Sequence, residues 1–324
     1  IGLGLLGRGV GDVKYIAEAG AAEVIVTDLK TESELEASLA ELKHYPNISF
    51  TLGEHKEEDF MDRDLVLVAA GVPLDSPYVH VAREQGVPLK QSAVLFAELS
   101  QIPVIGVTGT RGKSTVTHMI HHVLTEVTGE QIILGGNIRG VSNLQLLKDV
   151  TPDSLAVMEL DSWQLQGWGW NNMSPQIAVF TNFMEDHLNY YQTDGLSKED
   201  AMKIYFLDKA NIYKYQEDSG VLVTTPEVFT LAKKYDDSEL GQEVVLVDQS
   251  ILPDEALLSM PGEHNRLNAS LAYQALKAVS LDDESIFAGL ASFPGVPGRL
   301  EYLGVTPEGI GVYNDNNSTT PTAT

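Results

Sequence analysis

The sequence predicts an α/β protein made of two successive open, mostly parallel sheets, and three observations carry that expectation. Short apolar runs rich in Val and Ile alternate with amphipathic stretches along most of the chain. Two glycine-rich turns, at 2–7 and 109–112, each stand before a helix-like stretch. At 324 residues the chain exceeds one ordinary domain, so two or three compact units are expected.

In the first unit, residues 1–98, VIVTD (24–28), ISFTL (48–52) and DLVLVAAG (64–71) read as strands. Segments near 8–19, 31–43 and 76–85 read as the crossover helices that a parallel sheet requires. The second unit, 99–296, opens after Gln101-Ile102-Pro103 with the strand VIGVTG and a helical VTHMIHHVLTEV. Its further strands are expected at 154–160, 177–182, 220–225 and 244–248, with a helix around 265–279. The segment GRLEYLGVTPEGIGVYND reads as a hairpin turning at Thr306-Pro307-Glu308-Gly309, so 297–324 is expected to be a hinge and the start of a third unit. Trp168-Gly169-Trp170-Asn171-Asn172 reads as a surface loop. The chain begins at Ile1 with hardly any strand ahead of its glycines and stops in the polar NDNNSTTPTAT. Both ends read as cuts in a longer protein, with a C-terminal α/β domain largely missing.

Composition excludes several classes. With 43% hydrophobic residues the chain is no disordered polymer, and no apolar run reaches the roughly 18 residues of a membrane span. The absence of cysteine rules out disulfides, thiolate metal sites and cysteine nucleophiles. A formal charge of −25 argues against nucleic acid as a partner. No signal segment is present, so a cytoplasmic protein is the expectation. An anionic ligand would have to be held locally, by metal, a few Lys and Arg, and backbone N–H groups.

The front turn, Gly2-x-Gly4-x-x-Gly7 with Asp28 ending the next strand, has the form of a dinucleotide fingerprint. Alone it suggests an NAD-dependent oxidoreductase, or a turn that merely packs helix against strand. The second turn runs Gly109-Thr110-Arg111-Gly112-Lys113-Ser114-Thr115 between strand and helix. There, backbone N–H groups and the helix dipole point at a phosphate, Lys113 reaches the outer phosphates and Ser114 holds Mg2+. The usual expression wants glycine at 107, where Val107 stands. The alternative is a glycine turn with a solvated lysine.

A G-T-x-G-K-S-T turn without the leading glycine resembles that of the Mur ligase family, and the resemblance spans almost the whole chain. It continues through Gly135-Gly136-Asn137-Ile138, Glu159-Leu160-Asp161-Ser162-Trp163-Gln164-Leu165 and Thr181-Asn182-Phe183-Met184-Glu185-Asp186-His187-Leu188. His264-Asn265-x-x-Asn268-Ala269, Gly295-Val296-Pro297-Gly298-Arg299 and Asn314-Asp315 complete it. It implies a Rossmann-like N-terminal domain and a P-loop-type ATPase domain.

The resemblance also implies roles. ATP would be held by Gly109, Thr110, Gly112, Lys113, Ser114 and Thr115, with Asn265 and Asn268 toward adenine, Arg299 on the phosphates and Asp315 on the ribose. Of two Mg2+ ions, one would sit on Ser114 and Glu159 and the other on His187 and Lys209, the lysine carrying a carbamate. Lys113, Glu159, His187 and Lys209 would thus be the catalytic set, although Lys198 and Lys203 compete with Lys209 in the alignment. By its residues alone, Glu159 reads as a solvated acid, His187 as a helix-start histidine bonded to backbone, and Asn265 as a helix cap.

The front pattern resembles the D-glutamate-adding branch of the family, which implies UDP-N-acetylmuramoyl-L-alanine and D-glutamate as substrates and an acyl-phosphate route in peptidoglycan precursor synthesis. Gly4, Leu5, Leu6, Asp28 and Gly71 would meet the UDP part, with Asn137, Asp161 and Ser162 among the other substrate contacts. Other muropeptide ligases, the L-alanine-adding enzyme among them, are the alternative. A monomer is expected, inactive as the chain stands because a closing domain is absent. Asp161 in place of Ser is expected to alter substrate contacts or recruit metal, and Gly298 in place of His to loosen the hinge.

Overall fold

A computed structural model describes residues 1–316 apart from 6, 74, 193–194, 237–239, 254–257, 259, 261 and 300. The front region contains, in order, α1 (Arg8–Glu18), β1 (Val24–Asp28), α2 (Glu36–Ala40), β2 (Ile48–Leu52), β3 (Val66–Leu67), α3 (Pro77–Glu84) and β4 (Leu89–Lys90). Strands β1 and β2 pair in parallel, as do β3 and β4. Residues 1–3 join the two pairs. Gly2 N donates to Thr27 O at 2.9 Å and Ala69 N to Ile1 O at 3.0 Å. The strand expected over 64–71 shortens because its last residues turn away as the wall of a cavity described below. The helix expected over 31–43 shrinks to α2, continued by isolated turns.

The second region begins with α4 (Ser92–Ser100), then β5 (Val104–Thr108), α5 (Lys113–Thr128), β6 (Ile132–Gly136), β7 (Leu155–Glu159) and α6 (Ser162–Trp170). It continues with β8 (Ile177–Phe180), α7 (Leu188–Tyr191), α8 (Lys198–Ala210), β9 (Val221–Thr224), α9 (Pro226–Tyr235) and β10 (Glu243–Leu246). Helices α10 (Glu263–Ala278) and α11 (Asp283–Ser292) precede a hairpin, β11 (Glu301–Val305) with β12 (Gly311–Asn314), which turns where the sequence predicts.

Six parallel strands in the order β10-β9-β8-β5-β7-β6 form one sheet with helices on both faces. Strand periodicity of two divides its side chains between two cores. Ile105, Val107, Val157, Val179 and Val223 face α5, α10 and α11. Val104, Ala156, Met158, Ala178, Phe180 and Leu222 face α4, α6, α8 and α9. Helix α4, which the sequence places in the first unit, buries Ala93, Val94, Phe96 and Ala97 in this second core. By packing, the second unit therefore begins near Ser92.

The surface loop expected at 168–172 is corrected: 168–170 are the last residues of α6, and Trp168 is only 1% exposed. Asp161 starts this helix. Its side chain accepts from Gln164 N at 2.8 Å while Gln164 Oε1 accepts from Asp161 N, a capping box that helical periodicity cannot reveal. Gly167 and Gly169 let α6 press against its neighbours, since a Cβ on either would strike Gln91 or Asn211. No described helix is long and apolar enough to cross a membrane.

Candidate active site

The turn from β5 into α5 forms a cradle. Gly109 has φ +144° and Gly112 φ +79°, backbone that favours glycine, and neither has room for a Cβ. On Gly109 a Cβ would enter Thr181 Oγ1, and on Gly112 it would enter Asn268 Oδ1. The end of β8 fastens the loop from outside. Thr110 N donates to Asn182 O at 3.0 Å, Arg111 N to Asn182 Oδ1 at 2.9 Å, and Thr181 Oγ1 to Arg111 O at 2.5 Å. Thr181 and Asn182 thus shape the cradle, although the sequence singled out only the motif containing them.

Two lysines converge on one carbonyl of this loop. Lys113 Nζ donates to Gly109 O at 3.0 Å and to Thr110 O at 3.2 Å, and Lys209 Nζ donates to the same Gly109 O at 2.9 Å. Burial pushes the Lys113 ammonium below its usual pKa, while Glu159 and Asp161 pull it back up. Lys209 is 1% exposed, and burial, then the Lys113 charge, push it well below the ordinary lysine value. Its ammonium also lies 5.0 Å from the Tyr205 ring. Of the three lysines on α8, Lys198 pairs with Glu185 and Lys203 is exposed, so only Lys209 enters the site.

Around this pair stand the carboxylates. Glu159 ends β7 beside β5 and is 5% exposed, not a solvated acid, and Asn137 Nδ2 donates to its Oε1 at 3.4 Å. Asp161 directs one oxygen at its own helix as a cap, and its charge acts on both lysines. His187 sits at the start of α7 with φ 55° and makes no side-chain cap bond. Its ring lies 4.8 Å from Trp163 and 5.7 Å from Tyr205. Burial lowers its pKa, Asp186 opposes that, and Lys209 and Lys113 reinforce it.

Among the described residues no three His, Cys, Asp or Glu side chains cluster tightly enough to hold a metal alone. Mg2+ is commonly bound through one or two carboxylates together with substrate phosphates. A buried carboxylate beside the phosphate-loop lysine, with the Ser114 hydroxyl at the start of α5, is a donor set of that kind.

The remaining nucleotide candidates divide. Asn268 lies against Gly112 and donates to Asn265 Oδ1 at 3.3 Å, both asparagines being buried. The cap of α10 is Gly262, so Asn265 is not the cap residue. Asn265 and Arg299 line a cavity of about 530 Å³ with Met260, Glu301 and Tyr302. Asp315, past the end of β12, is not among the residues lining it. Gly298 N donates to Glu301 Oε2 at 2.8 Å. Thr115 is buried in α5 behind Ser114, and Ser162 is buried in the first turn of α6.

In the front region Asp28 is 4% exposed, and its two oxygens accept from Gly4 N at 3.1 Å and Lys30 N at 2.9 Å. Gly4, Leu5, Asp28 and Gly71 line one cavity of about 780 Å³. Leu6 lies outside the described residues. The same cavity is lined by two residues the sequence did not single out, Arg8 and His55. His55 Nδ1 is 2.5 Å from Thr27 Oγ1, and its ring stands edge-on to Tyr78.

Behind the cradle, Asp208 accepts from Gln166 Nε2 at 2.7 Å, and burial raises its pKa from 3.8 to about 6 despite that bond. The folded state then binds more protons than the unfolded one between those values. Stability from this group is complete below pH 3.8 and is lost as pH rises to about 6. D208N, which keeps an acceptor for Gln166, is expected to exceed the wild type at pH 7.5 by up to about 3 kcal/mol. Urea unfolding at pH 7.5 and near pH 4 checks this, and a gap that does not close in acid would contradict it.

An all-parallel sheet with a glycine cradle and an enclosed lysine defines a nucleotide-phosphate-binding α/β protein. Residues 107–276 match the Mur ligase middle domain, and residues 1–91 the Mur ligase MurD-like N-terminal domain. The chain is 31% identical to the UDP-N-acetylmuramoylalanine--D-glutamate ligase of Roseiflexus sp. (strain RS-1), covering 100% of this chain and 73% of that one. It is 32% identical to the same-named enzyme of Streptococcus sanguinis (strain SK36), covering 99% and 72%. In fold it is similar to the UDP-N-acetylmuramate-alanine ligase of Thermotoga maritima, with TM-score 0.56, 21% identity, and 99% and 74% coverage. The chain belongs to the Mur ligase family, whose enzymes use ATP and Mg2+.

Proposed function

We propose that this chain serves the ATP-dependent joining of UDP-N-acetylmuramoyl-L-alanine to D-glutamate, with the UDP part in the front cavity and ATP in the cradle. The observation that carries the reading is the convergence of Lys113 and Lys209 on Gly109 O beside Glu159. Two anions, a carboxylate and a triphosphate, must approach each other there, and the positive charge of Lys113 and of metal held at Glu159 and Lys209 would lower that barrier more than acid or base would. An oxygen of the substrate carboxylate attacks the γ-phosphorus and ADP leaves, giving an acyl phosphate. The amine nitrogen then attacks the acyl carbon, phosphate departs and the nitrogen loses a proton.

Lys113 orients the outer phosphates, while Asn268 backs the cradle and Arg299 reaches the nucleotide from the hinge. Bound Mg2+ would supply charge neutralisation, one ion at Ser114 and Glu159 and a second at His187 and a carbamate on Lys209. The burial that pushes the Lys209 pKa well down favours its unprotonated form and supports that modification. The unprotonated amine attacks the carbon of CO2 and loses a proton, which leaves a carbamate whose oxygens can act as metal donors. Asp315 is assigned to the ribose by resemblance alone. The reading places the protein in the cytoplasm as a monomer, with no nucleic-acid partner.

Calorimetric titration with UDP-N-acetylmuramoyl-L-alanine, UDP-N-acetylmuramate and NAD tests this reading. Preference for the alanyl compound is the expected result. Preference for the alanine-free compound would move the chain one ligation earlier, and binding of NAD alone would sink the ligase reading of the front cavity. In the same preparation, ¹³C-labelled bicarbonate should give a carbamate resonance that K209M lacks.

A further inference from the structure

We infer that Arg8 is a positioning residue that ties the front cavity to Glu159 through the side chain of Asn137. This link rests on the reading of Glu159 as a ligand of the Mg2+ that accompanies ATP. Arg8 opens α1 directly after Gly7, whose left-handed backbone turns the chain into that helix. Arg8 lines the front cavity, and its Nη1 donates to Asn137 Oδ1 at 2.6 Å, across 129 residues of sequence. Asn137 Nδ2 then donates to Glu159 Oε1 at 3.4 Å, and Asn137 N to Glu159 O at 2.7 Å.

Donor and acceptor chemistry fixes the direction of this chain. Guanidinium only donates and carboxylate only accepts, so an amide between them must turn its oxygen to Arg8 and its NH2 to Glu159. Without Arg8 the amide is free to flip and present its oxygen to the carboxylate, which repels it. Guanidinium carries five N–H donors in a fork suited to phosphate, so others besides the one given to Asn137 can meet a diphosphate in the cavity. One guanidinium and one amide thereby join substrate anion to metal ligand.

The rest of α1 holds Arg8 in place independently. One turn on, buried Asp12 accepts from Ser142 Oγ at 2.6 Å and from Leu144 N at 3.1 Å. Gly11 lies so close to Ser142 that a Cβ would collide with it. Gln145 Nε2 donates to Gly11 O at 3.0 Å. The contact between α1 and residues 137–145 therefore persists when Arg8 alone is changed, which makes substitution informative.

The test is Mn2+ binding, followed by electron paramagnetic resonance, to the chain saturated with an imido-bridged ATP analogue. Wild type, R8K, R8M, N137A and R8M/N137A are compared, with melting temperature and metal-free analogue affinity measured in parallel. R8M and N137A should each weaken Mn2+ binding about tenfold, the scale of losing a partner that orients a metal ligand. The double variant should lose no more than either single one, R8K should retain part of the affinity, and metal-free analogue binding should not move. Losses that add in the double variant, or R8M and R8K with wild-type Mn2+ affinity, would overturn the link. Wild-type chain that binds the analogue yet takes up no Mn2+ would instead sink the metal reading of Glu159, and the link with it.

Discussion

Replacing Lys113 by methionine is expected to cut ATP affinity by about one to two powers of ten while the melting temperature of the free protein stays level or rises. A charge-assisted hydrogen bond contributes about 1.5–3 kcal/mol, and Lys113 is placed to make such bonds to phosphate. In the free protein its ammonium is held by two carbonyls, Gly109 O and Thr110 O, and burial already disfavours its charge. Methionine fills much of the same volume without that desolvation. The sign can be checked against pH. Because folding lowers the pKa of Lys113, the unfolded chain binds more protons, and stability from this group rises as pH climbs from the folded value toward 10.5. K113M should lack that increment. Titration of a fluorescent ATP analogue, with thermal unfolding at pH 7 and 9.5, measures both effects. Wild-type nucleotide affinity in K113M would mean that the cradle is not the phosphate site.

Gly109→Ala should do more damage both to the fold and to binding. At φ +144° alanine is strained by about 1–3 kcal/mol, and the new methyl would lie inside Thr181 Oγ1 and against Asn182. Thr181 and Asn182 are the residues that fasten the loop, so relief of the clash comes only by moving the cradle itself. A loss of at least about 3 kcal/mol and a fall in melting temperature of roughly 5–10 °C are expected, together with loss of detectable ATP binding. Gly129→Ala is the control. It too has positive φ, +65° at the end of α5, but nothing lies within 4 Å of a Cβ there. That substitution should cost about 1 kcal/mol and leave ATP binding intact. If G109A behaved like G129A, close packing would not be what requires glycine in the cradle.

The legible part of the site is its local part. A glycine turn between a strand and a helix states its purpose within seven residues, because positive φ and helix-start N–H groups are properties of neighbours in sequence. The turn from Gly109 through Ser114 was readable for that reason, as were the strands of the central sheet, whose apolar runs match burial on both faces. The Trp168 segment misled because two tryptophans between glycines and asparagines resemble a loop in composition. The capping box that starts this helix lies seven residues upstream, and the glycines are contact points for other helices. The capping role of Asp161 was equally hard to read, since a carboxylate that caps a helix and one that meets a ligand have the same sequence signature.

The alternation of strands and helices, the glycine turn before α5, the hairpin near the end and the family of the chain could all be read without coordinates. Only the tertiary structure decided which of Lys198, Lys203 and Lys209 faces the cradle, that α4 belongs to the second core, and that Arg8 reaches Asn137. The physical reason is the range of the interactions. Strand, turn and helix starts are set by backbone sterics and side chains a few residues apart. The environment of Lys209, by contrast, is made by Gly109, 100 residues away, and by the helices that shut out water around it. Burial of that kind exists only once the sheets and helices have packed, and no stretch of sequence near the lysine contains it.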